Sequence, residues 1–123
     1  MRICLAVYGD RLAALLENAE ELRLYAAAEG RAEPAGVRPA PRGDPEALIR
    51  AIVQSGTDAL LCGAVCRRLR LRLEQAGLTV TPWLGGPATE VLTALLEDRL
   101  ETCRLPGCGG RRRCGRRRGN GGR

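Results

Sequence analysis

Three short segments of this chain read as strands that run up to glycine: the continuous apolar run Ile3-Cys4-Leu5-Ala6-Val7-Tyr8 before Gly9, then Asp58 to Cys62 before Gly63, and Leu78 to Trp83 before Leu84-Gly85-Gly86. Continuous apolar runs of this length suit strands buried on both faces, the situation of parallel strands covered by helices. The intervening segments are helical in pattern. Asp44-Pro45 supplies an N-cap and a first-position proline, and Leu48, Ile49, Ile52 and Val53 recur at helical spacing as far as Ser55-Gly56. A second helix is predicted from about Val65 to Gln75 on Leu69 and Leu73, and a third from Pro87 through Asp98 on Val91, Leu92, Leu95 and Leu96. Leu22 to Ala26 alternates, and after Glu29-Gly30 the segment Glu33 to Pro39 reads as a weaker partner strand, a hairpin at the sheet edge where prolines are tolerated. Between the first strand and this hairpin, Leu12, Leu15 and Leu16 have helical spacing, with a short irregular connection equally compatible. The order β-β-β-α-β-α-β-α predicts an α/β fold with a mixed sheet.

A length of 123 residues suits one domain. Past Leu105 the sequence turns to Gly and Arg without periodicity, so a body over residues 1–102 and an Arg-, Gly- and Cys-rich tail over 103–123, expected to be disordered, are predicted. The charge divides the same way. The body holds twelve Arg against fourteen acids, whereas the tail holds eight Arg and no acid. Apolar stretches fall short of the ~20 residues of a membrane span, and the first run is too short for a signal-peptide core, which predicts a cytoplasmic protein with reduced thiols and no membrane contact.

The missing residue types exclude much chemistry. The chain has no His and no Lys, and Ser55 is its one serine, so a Ser-His-Asp triad, a Cys-His pair, a Schiff-base or P-loop lysine and any histidine-ligated metal are ruled out. Carboxylates, thiols, arginines and backbone amides remain. Asp10 and Asp58 belong to opposite strand ends, so no clustered carboxylates for two-metal nuclease chemistry are expected. A protein that is not an enzyme is predicted.

Gly56-Thr57-Asp58-Ala59-Leu60-Leu61-Cys62-Gly63-Ala64, Ala76-Gly77-Leu78-Thr79-Val80 and Trp83-Leu84-Gly85-Gly86-Pro87-Ala88-Thr89-Glu90-Val91-Leu92, with the opening Met1 to Leu12 and the tail Leu105 to Arg113, resemble the dinitrogenase iron–molybdenum cofactor biosynthesis family. This is the domain found in NifX and at the C-terminus of NifB. The resemblance implies a ribonuclease H-like mixed five-stranded sheet flanked by helices. It also implies a nitrogen fixation-related, non-catalytic role, in which an iron–sulfur or molybdenum-containing cluster is held and passed between metal-cluster assembly or acceptor proteins. The chain departs from the family in lacking the histidine that cofactor-binding members often use, and in having Ala13-Ala14-Leu15-Leu16-Glu17-Asn18 where a polar segment is usual.

Candidate sites follow from the strand ends. Parallel strands bring their carboxyl ends to one edge, where ligands of open α/β sheets bind, so Gly9, Asp10, Gly63, Gly85 and Gly86 are candidate cofactor contacts; tight strand-to-helix turns explain the glycines equally well. Cys62 and Cys66 flank a helix start and are candidate ligands for a soft metal, although a small buried residue is the alternative for Cys62. Cys4 reads as core. Cys103, Cys108 and Cys114 match no familiar zinc spacing and are weaker metal candidates. Arg111, Arg112, Arg113, Arg116, Arg117 and Arg118 could capture an anionic cluster, an acidic partner or, non-specifically, nucleic acid; a small interaction or nucleic-acid-binding protein acting through this tail is the alternative function.

Overall fold

The computed structural model describes residues 1–105. Its centre is β1, Arg2–Tyr8, whose residues Ile3 to Val7 are all buried because both faces of the sheet are covered. The sheet runs β4-β3-β1-β5-β6. Strands β5 (Ala59–Leu61) and β6 (Thr79–Thr81) run parallel to β1, whereas β3 (Glu21–Ala28) is antiparallel to β1 and pairs antiparallel in turn with β4 (Arg31–Pro39). A sixth strand, the two-residue β2 (Arg11–Leu12), folds back on the end of β1 with Leu12 opposite Val7. The sheet is thus mixed, as read from the sequence, with one short strand more than expected.

Alternation along β1 sorts the core into two layers. Cys4 and Ala6 join Leu48, Ile52, Leu69 and Leu73 on one face, whereas Ile3, Leu5 and Val7 join Leu84, Ala88 and Val91 on the other. Helices α1 (Pro45–Gln54) and α2 (Arg67–Gln75) therefore cover one face, and α3 (Ala88–Leu96) the opposite one. The start of α1 follows the sequence: the Asp44 carboxylate accepts from the Ala47 amide at 3.2 Å and Pro45 stands in the first turn. The start of α2 differs, since its N-cap is Cys66 and no side chain caps it. The hairpin turn Glu29-Gly30 has φ of 54° and 74°, the left-handed pair that matches strand twist in two-residue hairpins. Strand β4 forms the outer edge, with Pro34 and Pro39 in it.

The connection after β1 takes the irregular of its two compatible forms, and the end of the body differs from the sequence reading. Leu12 and Leu16 are spaced as on one helix face, yet they are buried on opposite sides of the sheet, Leu12 with α3 and Leu16 with α1 and α2. The chain from Arg11 crosses the carboxyl end of the sheet and closes with a 3-10 turn at Leu16–Asn18. It is pinned by Leu12 N–H to Gly86 O, Ala13 N–H to Ala6 O and Leu16 N–H to Ala64 O, at 2.8–3.0 Å. At the other end the body does not stop at residue 102. A 3-10 turn, Leu100–Cys103, packs Leu100 and Cys103 against the α3 layer; Cys103 O accepts from Gly85 N–H at 2.8 Å, and Leu105 N–H donates to Trp83 O at 2.8 Å.

Candidate functional site

The carboxyl edge of the parallel strands is where the glycines converge, but the chain itself fills most of the space they open. A Cβ on Gly63 would overlap the carbonyl oxygen of Ala13 and lie 2.6 Å from that of Ala14, so this glycine admits the crossing segment rather than a ligand. Gly85 makes the same allowance for the Leu105 side chain. Gly86 has a φ of 112°, as its turn requires, and its carbonyl is taken by Leu12 N–H. The first amide of α3, Ala88 N–H, donates to Asp10 O. The expectation that Gly63 and Gly85 line an open ligand cradle is thereby corrected; Gly86 serves its turn and the hydrogen bond from Leu12. Gly9 and Asp10 form a surface turn instead: Gly9 N–H donates to Glu20 Oε1 at 3.1 Å, while Arg23 reaches both Gly9 O and the Asp10 carboxylate.

The cysteines divide by burial. Cys62 is fully buried among the leucines beneath α1 and α2, and desolvation there pushes its thiol up to about 12, helped by the nearby negative charge of Glu17 and opposed by Arg70. Cys4 is core, as its sequence position suggested, and its thiol is likewise pushed up to about 12 by burial. Cys66 is exposed and borders a cleft between α1 and α2. Cys62 and Cys66 therefore belong to different environments, one a protonated core thiol and the other a surface thiol, and do not fit a two-thiolate metal site. Cys103 is half-buried against the α3 layer. Among the described residues no three Cys, Asp or Glu side chains are grouped to hold a metal ion. Cys108, Cys114 and the six tail arginines from Arg111 to Arg118 lie outside the described residues. Asp58 accepts from Arg2 N–H at the amino end of the parallel strands, remote from Asp10 at the carboxyl end, as their strand positions required.

A concavity does exist at the carboxyl end of β1, beside the Gly9-Asp10 turn. Its volume is about 490 Å³, within the usual range for small-molecule sites, and its walls are Tyr8, Arg11, Asn18, Arg42 and the crossing segment Leu12 to Leu15. No carboxylate lines it. Among the described residues neither Arg11 nor Arg42 forms an ion pair, and the acids of the adjacent turn are engaged elsewhere, Asp10 by Arg23 at 3.4 Å and Glu20 by Gly9 N–H. The Arg42 guanidinium sits 5.8 Å from the centre of the Tyr8 ring, a cation–π distance that holds the charge over the groove wall. The backbone N–H groups of Ala14 and Leu15 donate to no acceptor among the described residues. Two guanidiniums, a phenol and a carboxamide line the groove, with the Ala14 and Leu15 amides in its crossing wall, a set of donors and positive charge whose chemistry suits an anion. Sequence reasoning located this edge through Gly9 and Asp10 but missed Tyr8, Arg11, Asn18 and Arg42. Arg11 and Arg42 are brought together only by the crossing segment and the loop before α1, and no local motif marks them.

No family model matches the chain, and no curated protein sequence matches it. Solved structures do resemble it in fold. The protein PH0822 superposes with a TM-score of 0.76 at 16% identity, over 81% of this chain and 92% of that one. A protein of Methanocaldococcus jannaschii provisionally named a dinitrogenase gives 0.64 at 12% identity, over 81% and 91%. A Thermotoga protein provisionally named NifB, of the DUF35 family, gives 0.61 at 23% identity, over 80% and 89%. At these identities the likeness is one of fold.

Proposed function

We propose that this protein is a non-catalytic accessory protein that holds an anionic metal–sulfur cluster and passes it to an assembly or acceptor protein, on a ribonuclease H-like sheet and in connection with nitrogenase cofactor assembly. The observation that carries this reading is the Tyr8, Arg11, Asn18 and Arg42 groove at the ligand edge of the sheet, cationic and free of lining carboxylates. The sequence resemblance and the provisional names of two fold relatives support the choice of cargo. Arginines and amides attract an anion without bonding covalently to its metal, which suits cargo that must leave again. Cys62 takes no part, because its sulfur is enclosed in the core beneath α1 and α2, away from the groove.

The test is an anaerobic titration of an isolated anionic cluster, followed by co-elution of its absorption with the protein. Charge-assisted hydrogen bonds contribute about 1.5–3 kcal/mol each, so Arg11→Ala and Arg42→Ala are each expected to weaken retention by roughly tenfold or more. Cys62→Ala should retain the cluster as the parent does. Equal retention by both arginine variants, or loss with Cys66→Ser alone, would remove the groove from the mechanism.

A second reading rests on the eight arginines and absence of acids between Cys103 and Arg123, a composition that favours non-specific nucleic-acid binding. Such binding would fall steeply with salt and vanish in a chain ending at Leu105. Cluster retention by that shortened chain would leave the groove as the working site.

A further inference from the structure

The cleft between α1 and α2 lies on the other side of the crossing segment from the cationic groove, and its chemistry is different. It has a volume of about 310 Å³, with Ile49 and Leu69 as an apolar wall and Cys66 at its rim. One side carries Glu17, whose Oε1 is buried and has no hydrogen-bond partner among the described residues. A buried carboxyl oxygen without a donor is an acceptor awaiting one. The other side carries Arg68 in the first turn of α2, a nine-residue helix that no side chain caps. Its first amides and Arg68 together present donors and positive charge. The remaining charged pair in the cleft is already satisfied: Arg72 is held by both carboxylate oxygens of Glu46 at 2.6 and 2.8 Å. Glu17 and Arg68 form no ion pair with each other, so the cleft lining holds one acceptor and one cation that do not neutralise one another, together with the apolar Ile49 and Leu69.

We infer that this cleft binds a small zwitterion of the α-amino-acid type, with its ammonium on Glu17, its carboxylate on Arg68 and the start of α2, and its side chain against Ile49 and Leu69. The inference is independent of cluster carriage, since none of these residues lines the cationic groove. A single anion would leave Glu17 unpaired and repelled, and a simple amine would leave Arg68 and the helix start unanswered. A ligand with both ends answers both.

Cys66 at the rim supplies the readout. The full-length protein is alkylated with iodoacetamide in the presence of each common amino acid other than cysteine, and modification of the Cys66 peptide is followed by mass spectrometry. At least one amino acid with an apolar side chain should slow alkylation of Cys66 in a saturable way, and amide resonances of Ile49 and Leu69 should shift with the same midpoint. The N-acetyl and carboxamide derivatives of that amino acid, each lacking one charge, should need roughly tenfold higher concentrations, the loss of one charge-assisted contact. Glu17→Gln should weaken binding of the amino acid while leaving the N-acetyl derivative unchanged, and Arg68→Ala should do the converse with the carboxamide. Absence of protection by any amino acid, equal potency of the blocked derivatives, or indifference to Glu17→Gln would each overturn the proposal. None of these outcomes would bear on the groove variants, so the two readings fail separately.

Discussion

A thiol's fate in this protein is decided by depth. Cys4 and Cys62 keep their protons to about pH 12 in the folded chain, whereas free thiols ionise near 9.0. The unfolded chain therefore binds fewer protons than the folded one above that lower value, and stability falls as pH rises from about 9 towards 12; below 9 these two groups have no effect on it. Urea midpoints measured across that range should decline in the parent and decline less in a Cys4→Ala, Cys62→Ala double variant. Flat midpoints in the parent would show that neither thiol is truly desolvated. Gly63 obeys a harder constraint. Its missing Cβ makes room for backbone carbonyls that are fixed by Ala64 N–H to Ala14 O and Leu16 N–H to Ala64 O, so nothing soft can yield. Gly63→Ala is expected to cost about 1–3 kcal/mol or more of overpacking, read from denaturant unfolding. Gly85→Ala meets only the movable Leu105 side chain and should cost less. Cys4 and the buried alternative for Cys62 were legible from sequence because each stands in a wholly apolar run. The purpose of Gly63 was not, since the backbone it accommodates comes from fifty residues earlier in the chain.

At the level of elements, patterns with one dominant cause were readable and patterns with two were not. Helix α1 has an apolar stripe, an Asp cap and a proline that agree with one another, and it forms between Pro45 and Gln54 as expected. The leucines of the crossing segment repeat at helical intervals because two different core layers each claim one of them, so the spacing reflects the two sides of a sheet and no helix. The end of the body was drawn too early for a related reason: Cys103, Arg104 and Leu105 look like tail by composition, but their anchoring comes from the backbone. Leu84 pairs with Arg104, and Leu105 fills the space above Gly85. A chain ending at Leu105 should therefore melt clearly above one ending at Arg99, which loses Leu100, Cys103 and both hydrogen bonds to the β6 turn. Equal melting temperatures in calorimetry would mean that the last turn is only laid against the fold.

Across the whole molecule, the sheet has one long open edge. Strand β4 spans Arg31–Pro39 with nearly every residue exposed, Val37 at 60%, and such a strand could pair with a second copy. Pro34 removes a donor in its middle, and Gly36, with a φ of 147°, lies beside the register shift at Leu24/Tyr25. Pro34→Val should raise the propensity to self-associate, visible by light scattering at high concentration, without lowering the melting temperature much. Unchanged scattering would assign the protection to the bend alone. The placement of β1 carries a consequence of another kind. Its antiparallel partner β3, with β4 beyond it, is complete by Pro39, while its parallel partner β5 waits for residues 59 to 61 and β6 beyond it for residues 79 to 81. On a ribosome, the three-stranded meander can assemble while the second half of the chain is still being synthesised, and β1 then waits with its other edge unpaired until Ala59–Leu61 emerges. The interval of exposure is set by translation speed through α1, so slow codons there would lengthen the time in which the nascent chain is open to the wrong strand.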